Sequence, residues 1–182
     1  IGSGNGISAS IVGVQVNTAN AISNATANAH ITGAAITAAD TVNVEAEGQS
    51  IAIAKSSEGS SLGVLSLAVN VMNANASGTF HAGIQTASGK NVSANSVTVQ
   101  TKYTARSNAR TAQGGFKGTV AGADTNCANA NVTTNATADT GSNGESDPEG
   151  HIQASTISIM AEGEAHAAAE AWTGDSVELV TA

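Results

Sequence analysis

The chain has 182 residues, of which 2% are aromatic and 11% charged, with a single proline and a net charge of −8. Few large side chains are available to interlock in a conventional core, and the shortage of charge and proline is not that of a disordered chain. The acidic balance argues against nucleic acid and anionic membrane surfaces as partners, and no apolar run approaches the roughly 20 residues of a membrane span.

The hydrophobic pattern repeats along the chain. A first strand-like segment, "IVGVQVNTANAISNATANAHI", begins at Ile11. A short lead, "ITAAD" from Ile36, precedes "VNVEAEGQSIAIAKSSEG" from Val42. "VLSLAVNVMNANASGTFHAGI" from Val64 then resembles the first segment. The lead returns as "VSANS" from Val92, followed by "VTVQTKYTARSNARTAQG" from Val97. A looser copy of the first segment, "TVAGADTNCANANVTTNATAD", begins at Thr119. An insertion, "GSNGESDPEG", separates it from the lead "IQAST" at Ile152 and from "ISIMAEGEAHAAAEAWTG" at Ile157. The segments at Val42, Val97 and Ile157 align without a gap, at offsets of 55 and 60, and each ends at a glycine: Gly59, Gly114 and Gly174. The units are therefore 1–35 (partial), 36–91, 92–151 and 152–182 (partial). The ends cut the repeat at unmatched phases, which is what a window from a longer array would show.

The period within each unit is two. Ile157, Ile159, Ala161, Gly163 and Ala165 share one parity, while Met160, Glu162, Glu164 and His166 share the other. Alternation of this kind belongs to strands. Alanine alone favours helix, but the aligned copies carry β-branched and polar residues at the same period. The reading is all-β: a repetitive, parallel β-helix-like β-solenoid of ~55–60-residue units, or a stack of long antiparallel hairpins. Sheets faced with Ala, Gly and Ser can approach more closely than the usual ~10 Å. Each unit then buries little apolar area, so stability must come from stacking many strands.

Aligned charges carry further information. Glu47, Lys102 and Glu162 occupy one equivalent position; Lys55, Arg110 and Glu170 occupy another. If equivalent positions are neighbours about 4.8 Å apart, opposite charges face each other at most steps. That favours wide coils, about one per unit, with Glu47 near Lys102. Lys102, Arg106 and Arg110 share a face and are expected to pair with Glu47, Glu162 and Glu170 on adjacent strands.

The candidate sites are few. Asp139, Asn143, Glu145, Asp147 and Glu149 lie in and beside the insertion, and oxygen-rich loops of this kind can hold calcium. His30, His81, His151 and His166 are scattered surface histidines without metal-ligand spacing. Cys127 is read as a small buried filler, with Met72 as its equivalent in the preceding unit. The frequent asparagines are read as stacked amide ladders. Five sequons, at Asn24, Asn75, Asn91, Asn131 and Asn135, are by-products of composition unless the chain meets a glycosylating pathway. Trp172 lies on a polar face with Glu170, and one aromatic does not make a carbohydrate cleft. Convergent carboxylates in an aromatic-walled groove, as a polysaccharide-active enzyme requires, are missing.

The lead "VSANSVTV" or "IQASTISI", the alanine-alternating strand, the glycine turn and the "LGVLSLAVNVMNANA" strand together resemble the repeat region of very large bacterial surface adhesins, of leukotoxin-like and filamentous-haemagglutinin-like type. The resemblance covers nearly all of the chain. It implies a β-solenoid stalk, secretion to the cell surface, and a role in adhesion or surface architecture without catalysis. The implied partners are neighbouring repeats, copies of the chain itself, and a host-surface or polysaccharide receptor. The glycine-rich calcium nonapeptide of RTX proteins is absent.

Overall fold

The computed structural model describes residues 2–4, 7–56, 60–87, 89–111, 117–141 and 150–172. The elements are β1 (Gly2–Gly4), β2 (Ile7–Thr32), β3 (Ile36–Thr37), β4 (Thr41–Ser56), β5 (Ser60–Gln85), β6 (Asn91–Arg110), β7 (Lys117–Thr140) and β8 (His151–Glu170). They form two sheets. One holds β1, β4, β6, β3 and β8; the other holds β2, β5 and β7. Every pairing among the described residues is parallel, so antiparallel hairpins do not occur there. The chain crosses from one sheet to the other after each long strand.

Register follows the sequence offsets. Val42 pairs with Val97 and Val97 with Ile157; the leads at Ile36, Val92 and Ile152 share another row. In the second sheet Val12 pairs with Leu65, an offset of 53. The looser segment settles one residue later than its sequence suggests: Gly63 pairs with Thr119 and Val71 with Cys127. Met72 therefore pairs with Ala128, and Cys127 lies on the outer face, exposed. A one-residue slip exchanges the two faces of a strand, which is why the expected buried filler is at the surface. The glycines at 59, 114 and 174 lie outside the described residues.

The inner faces pack in two clusters. Near the crossover at residues 33–40, Val42, Val44, Ala46, Ala82, Ile84, Val92, Val97 and Val99 are buried, with Ala27, Ala29 and Ile31 against them. Further along, the core narrows to Ala19, Ala21, Ala52, Ala54, Met72, Ala74, Ala76 and Ala109. Residues late in β2 thus meet residues early in β4, and residues in mid-β2 meet residues late in β4. The two sheets run in opposite directions. The small residues bring them close enough for side chains to reach the facing backbone. The Ser107 hydroxyl donates to the Ala74 carbonyl at 2.7 Å, and the Ser50 hydroxyl donates to the Ser23 carbonyl at 2.9 Å.

Two rows of asparagine form amide ladders across the second sheet. On the inner side Asn17 donates to Asn70 at 2.8 Å and Asn70 to Asn126 at 2.7 Å. On the outer side Asn129 donates to Asn73 at 2.9 Å and Asn73 to Asn20 at 2.8 Å. Parallel in-register pairing sets identical amides above one another, so each Nδ2 meets the Oδ1 of the next strand. The inner ladder satisfies polar groups that would otherwise be buried without partners.

One large side chain fits only because of glycine. Phe80 is fully buried and stacks on Tyr103, with ring centroids 5.5 Å apart and an interplanar angle of 5°. A Cβ on Gly48 would lie 2.2 Å from Phe80 Cε1, and one on Gly163 would lie 2.1 Å from Tyr103 Cε1. Gly48, Tyr103 and Gly163 share one register row, so the aromatic pair is accommodated by a missing side chain on either side.

Two outcomes follow from this packing. Gly48→Ala should destabilise the chain by about 1–3 kcal/mol through overpacking. Gly163→Ala should cost less, because the partly exposed Tyr103 can swing away; urea unfolding of both variants measures the difference. Asn70→Ala, which removes the acceptor of Asn17 Nδ2 and the donor to Asn126 Oδ1, should cost about 1–3 kcal/mol. Asn73→Ala in the exposed ladder should cost under about 1 kcal/mol. Equal losses for Asn70→Ala and Asn73→Ala would rule out burial as the source of the ladder's contribution.

Candidate interaction surfaces

The strands set out three surfaces: the outer face of each sheet and the edge of β8. On the outer face of the first sheet the charge rows are in register. Glu47 pairs with Lys102 and Lys102 with Glu162; Lys55 pairs with Arg110 and Arg110 with Glu170. The ion pairs differ in detail. Lys102 Nζ lies 2.7 Å from Glu45 Oε1, the carboxylate one step diagonally back, rather than from Glu47. Diagonal neighbours are within reach of long side chains on a pleated sheet. Glu162 accepts a 3.3 Å hydrogen bond from Gln100 Nε2. Arg110 Nε lies 3.1 Å from Glu170 Oε2, and Arg106 Nη2 lies 3.6 Å from Glu164 Oε2. Trp172 donates through Nε1 to Glu170 Oε2 at 3.3 Å, and the Arg110 guanidinium sits 5.9 Å from its ring centroid. A shallow groove of 560 Å³ runs past Ile51, Ile53, Arg106, Asn108, Glu164 and His166.

Lys102 and Glu45 shift each other's protonation. The hydrogen bond from Lys102, and then its charge, hold the Glu45 carboxyl below its ordinary value of 4.5. The same bond and charge raise Lys102 above 10.5, with Glu47 and Glu162 adding smaller attractions. The Glu45 contribution is complete above its unfolded pKa and is lost as pH falls through the depressed folded value. The Lys102 contribution is complete below its unfolded pKa and is lost as pH rises through the raised folded value.

Of the residues read as a calcium loop, only Asp139 lies among the described residues. Asp139, the penultimate residue of β7, places Oδ2 2.7 Å from His81 Nε2. Asn143, Glu145, Asp147 and Glu149 lie outside the described residues. Among the described residues no group of three or more His, Cys, Asp or Glu is disposed to hold a metal ion. His30 joins Asp139 and His81 at the same corner. Its ring meets that of His81 edge to face, with centroids 4.3 Å apart. His30, Gly83 and Asp139 share one register row, and a Cβ on Gly83 would lie 3.0 Å from His30 Nδ1. His151 and His166 are exposed.

The edge at β8 differs from the strands behind it. Val97 and Val99 of β6 are fully buried, whereas their register partners Ile157 and Ile159 are each 47% exposed. The parity is unchanged, but among the described residues no further strand covers it: β8 pairs with β6 alone. Sequence reading identified Ile157 and Ile159 as an inward row and missed that this row would be open. The outer face of the second sheet was missed as well. There Val12 pairs with Leu65, Val14 with Leu67 and Val16 with Val69, a block of aliphatic side chains pointing outward.

Comparison of the chain with family models, with curated proteins and with solved structures finds no match.

Replacing Lys102 by Met should return Glu45 to ordinary carboxylate behaviour, followed by carbon-detected NMR titration, while moving the thermal midpoint little. An unchanged Glu45 titration would show that Lys102 is not its partner in solution.

Proposed function

We propose that the chain is a structural and adhesive segment of a β-solenoid: a stiff rod within a large secreted or cell-surface bacterial protein. What carries this reading is the open β8 edge. Among the described residues no further strand pairs with the side of β8 away from β6, and its Ile157 and Ile159 row is 47% exposed. Native sheets blunt their edges with charge, proline or a cover; β8 carries charge on its outer face, at Glu162, Glu164 and Glu170, while the side chains at Ile157 and Ile159 are uncharged. An additional strand in parallel register would flank this row as β8 flanks Val97 and Val99 of β6. The in-register offsets of 53 to 60 residues fit one coil per unit, the arrangement that lets such a rod extend by repetition.

The mechanism is mechanical rather than chemical, and the chain is read as not an enzyme. Backbone ladders run across both sheets, and the receptor of the whole protein, host-surface or polysaccharide, binds elsewhere on the rod or in the open groove beside Arg106. Location is extracellular, with neither nucleic acid nor membrane insertion as a partner. The same edge also supports a second reading, in which copies of the chain join end to end as a filament or matrix subunit.

Negative-stain electron microscopy at low micromolar concentration separates the two. Short, uniform rods support a stalk segment, and long filaments support a polymer subunit. Where filaments form, Ile157→Lys combined with Ile159→Lys should abolish end-to-end growth, since two ammonium groups would be buried by an incoming strand. Growth undiminished in that variant would remove the β8 edge as the joining surface.

A further inference from the structure

Around residues 14–17 of β2, and beside them at Leu65 and Leu67 of β5, aliphatic side chains point outward, and the polar ones of β2 point inward. Gln15 and Asn17 point inward and are 8% and 6% exposed. Their neighbours Val14 and Val16 point outward at 63% and 65%, beside Leu65 and Leu67 at 51% and 41%. Strand parity forces this. β2 runs unbroken from Ile7 to Thr32, so burying Ala19 and Ala21 also turns Gln15 and Asn17 inward and the valines outward. The inner Asn17, Asn70 and Asn126 ladder fixes that orientation.

The outward block is bounded. Val16 pairs with Val69 and Thr18 with Val71, and beyond them the Asn20, Asn73 and Asn129 ladder makes the face polar. Val14, Val16, Leu65 and Leu67 together present roughly 400 Å² of apolar surface, the size of the largest functional patches on soluble domains. All-parallel sheets are normally covered on both faces. Here the inner face is covered by the other sheet, and the described aliphatic side chains on this part of the outer face are exposed.

We propose that a second copy of the chain covers this block, outer face to outer face. Three observations favour that occupant. Adjacent rows of Val and Leu at strand spacing are self-complementary, and a two-fold axis lets each set of rows enter the grooves of the other. Val14, Val16, Leu65, Leu67, Val69 and Val71 are all uncharged, so two chains of net charge −8 can meet here without opposing like charges. The area is about half the roughly 800 Å² that each partner contributes to a standard stable interface, which fits a reversible pairing between rods. The pairing uses a different surface from the β8 edge and stands whether or not end-to-end growth occurs.

Sedimentation equilibrium from about 5 to about 500 μM tests it, in the range expected of a small interface. The average mass of the Ile157→Lys/Ile159→Lys variant, which isolates the lateral face, should climb from one chain towards two. Val14→Lys combined with Leu67→Lys in that background should weaken the pairing at least about tenfold. Val14→Ser with Leu67→Ser serves if the lysine variant loses its strand circular dichroism. A single-chain mass across the range, or pairing unchanged in both variants, would overturn the proposal. Flotation with phosphatidylcholine vesicles that is lost in Val14→Lys/Leu67→Lys, without self-association, would assign the face to lipid and overturn it equally.

Discussion

Parallel, in-register pairing of strands separated by 53 to 60 residues is the constraint on which the rest of the structure depends. It sets like residue above like, so that a composition poor in large side chains still closes its hydrogen-bonding requirements. Asparagine rows become amide ladders, and valine rows become one cluster beside the crossover. The same constraint sets Lys55 on Arg110, an unfavourable neighbour that Glu170 on the far side relieves. Small side chains then do what interlocking ones do elsewhere: they let the two sheets come close enough for Ser50 and Ser107 to bond the facing backbone.

Much of this was legible in the residues. The offsets of 55 and 60, the rows of Val42, Val97 and Ile157, and the all-β character follow from alignment and from alternation with period two. The asparagine ladders follow from composition and register together. What stayed hidden depends on a single residue of register or on distant packing. Cys127 pairs with Val71 rather than Met72, and that one step moves it from core to surface. Lys102 chooses Glu45 over Glu47 because a long side chain reaches diagonally, which a one-dimensional alignment does not record. The role of Gly48 depends on Phe80, 32 positions later in the chain and in the other sheet.

Period-two patterning also misleads about which face is the core. In the early part of β2 the hydrophobic parity is Val12, Val14 and Val16, and a local reading would turn it inward. The later part of the same strand carries alanine on the opposite parity, and an unbroken strand cannot satisfy both. The alanine half wins because the facing sheet covers it, and the aliphatic half is left outside with a polar ladder beneath it. A single bulge would resolve the conflict, and the pairing of β2 with β5 keeps one offset from Ile7 to Thr32.

The direction of the hydrogen bonds has a mechanical corollary. They run from strand to strand, along the stacking direction, so tension applied along that direction through the chain acts along the bonds and opens a ladder from the pulled end. The 25 or so paired positions between β2 and β5 then yield in succession. When a ladder yields, it releases a length of chain equal to one crossing and return, roughly 180 Å when fully extended. A stack built this way resists extension in discrete steps of nearly equal length, and each step leaves the ladders behind it intact.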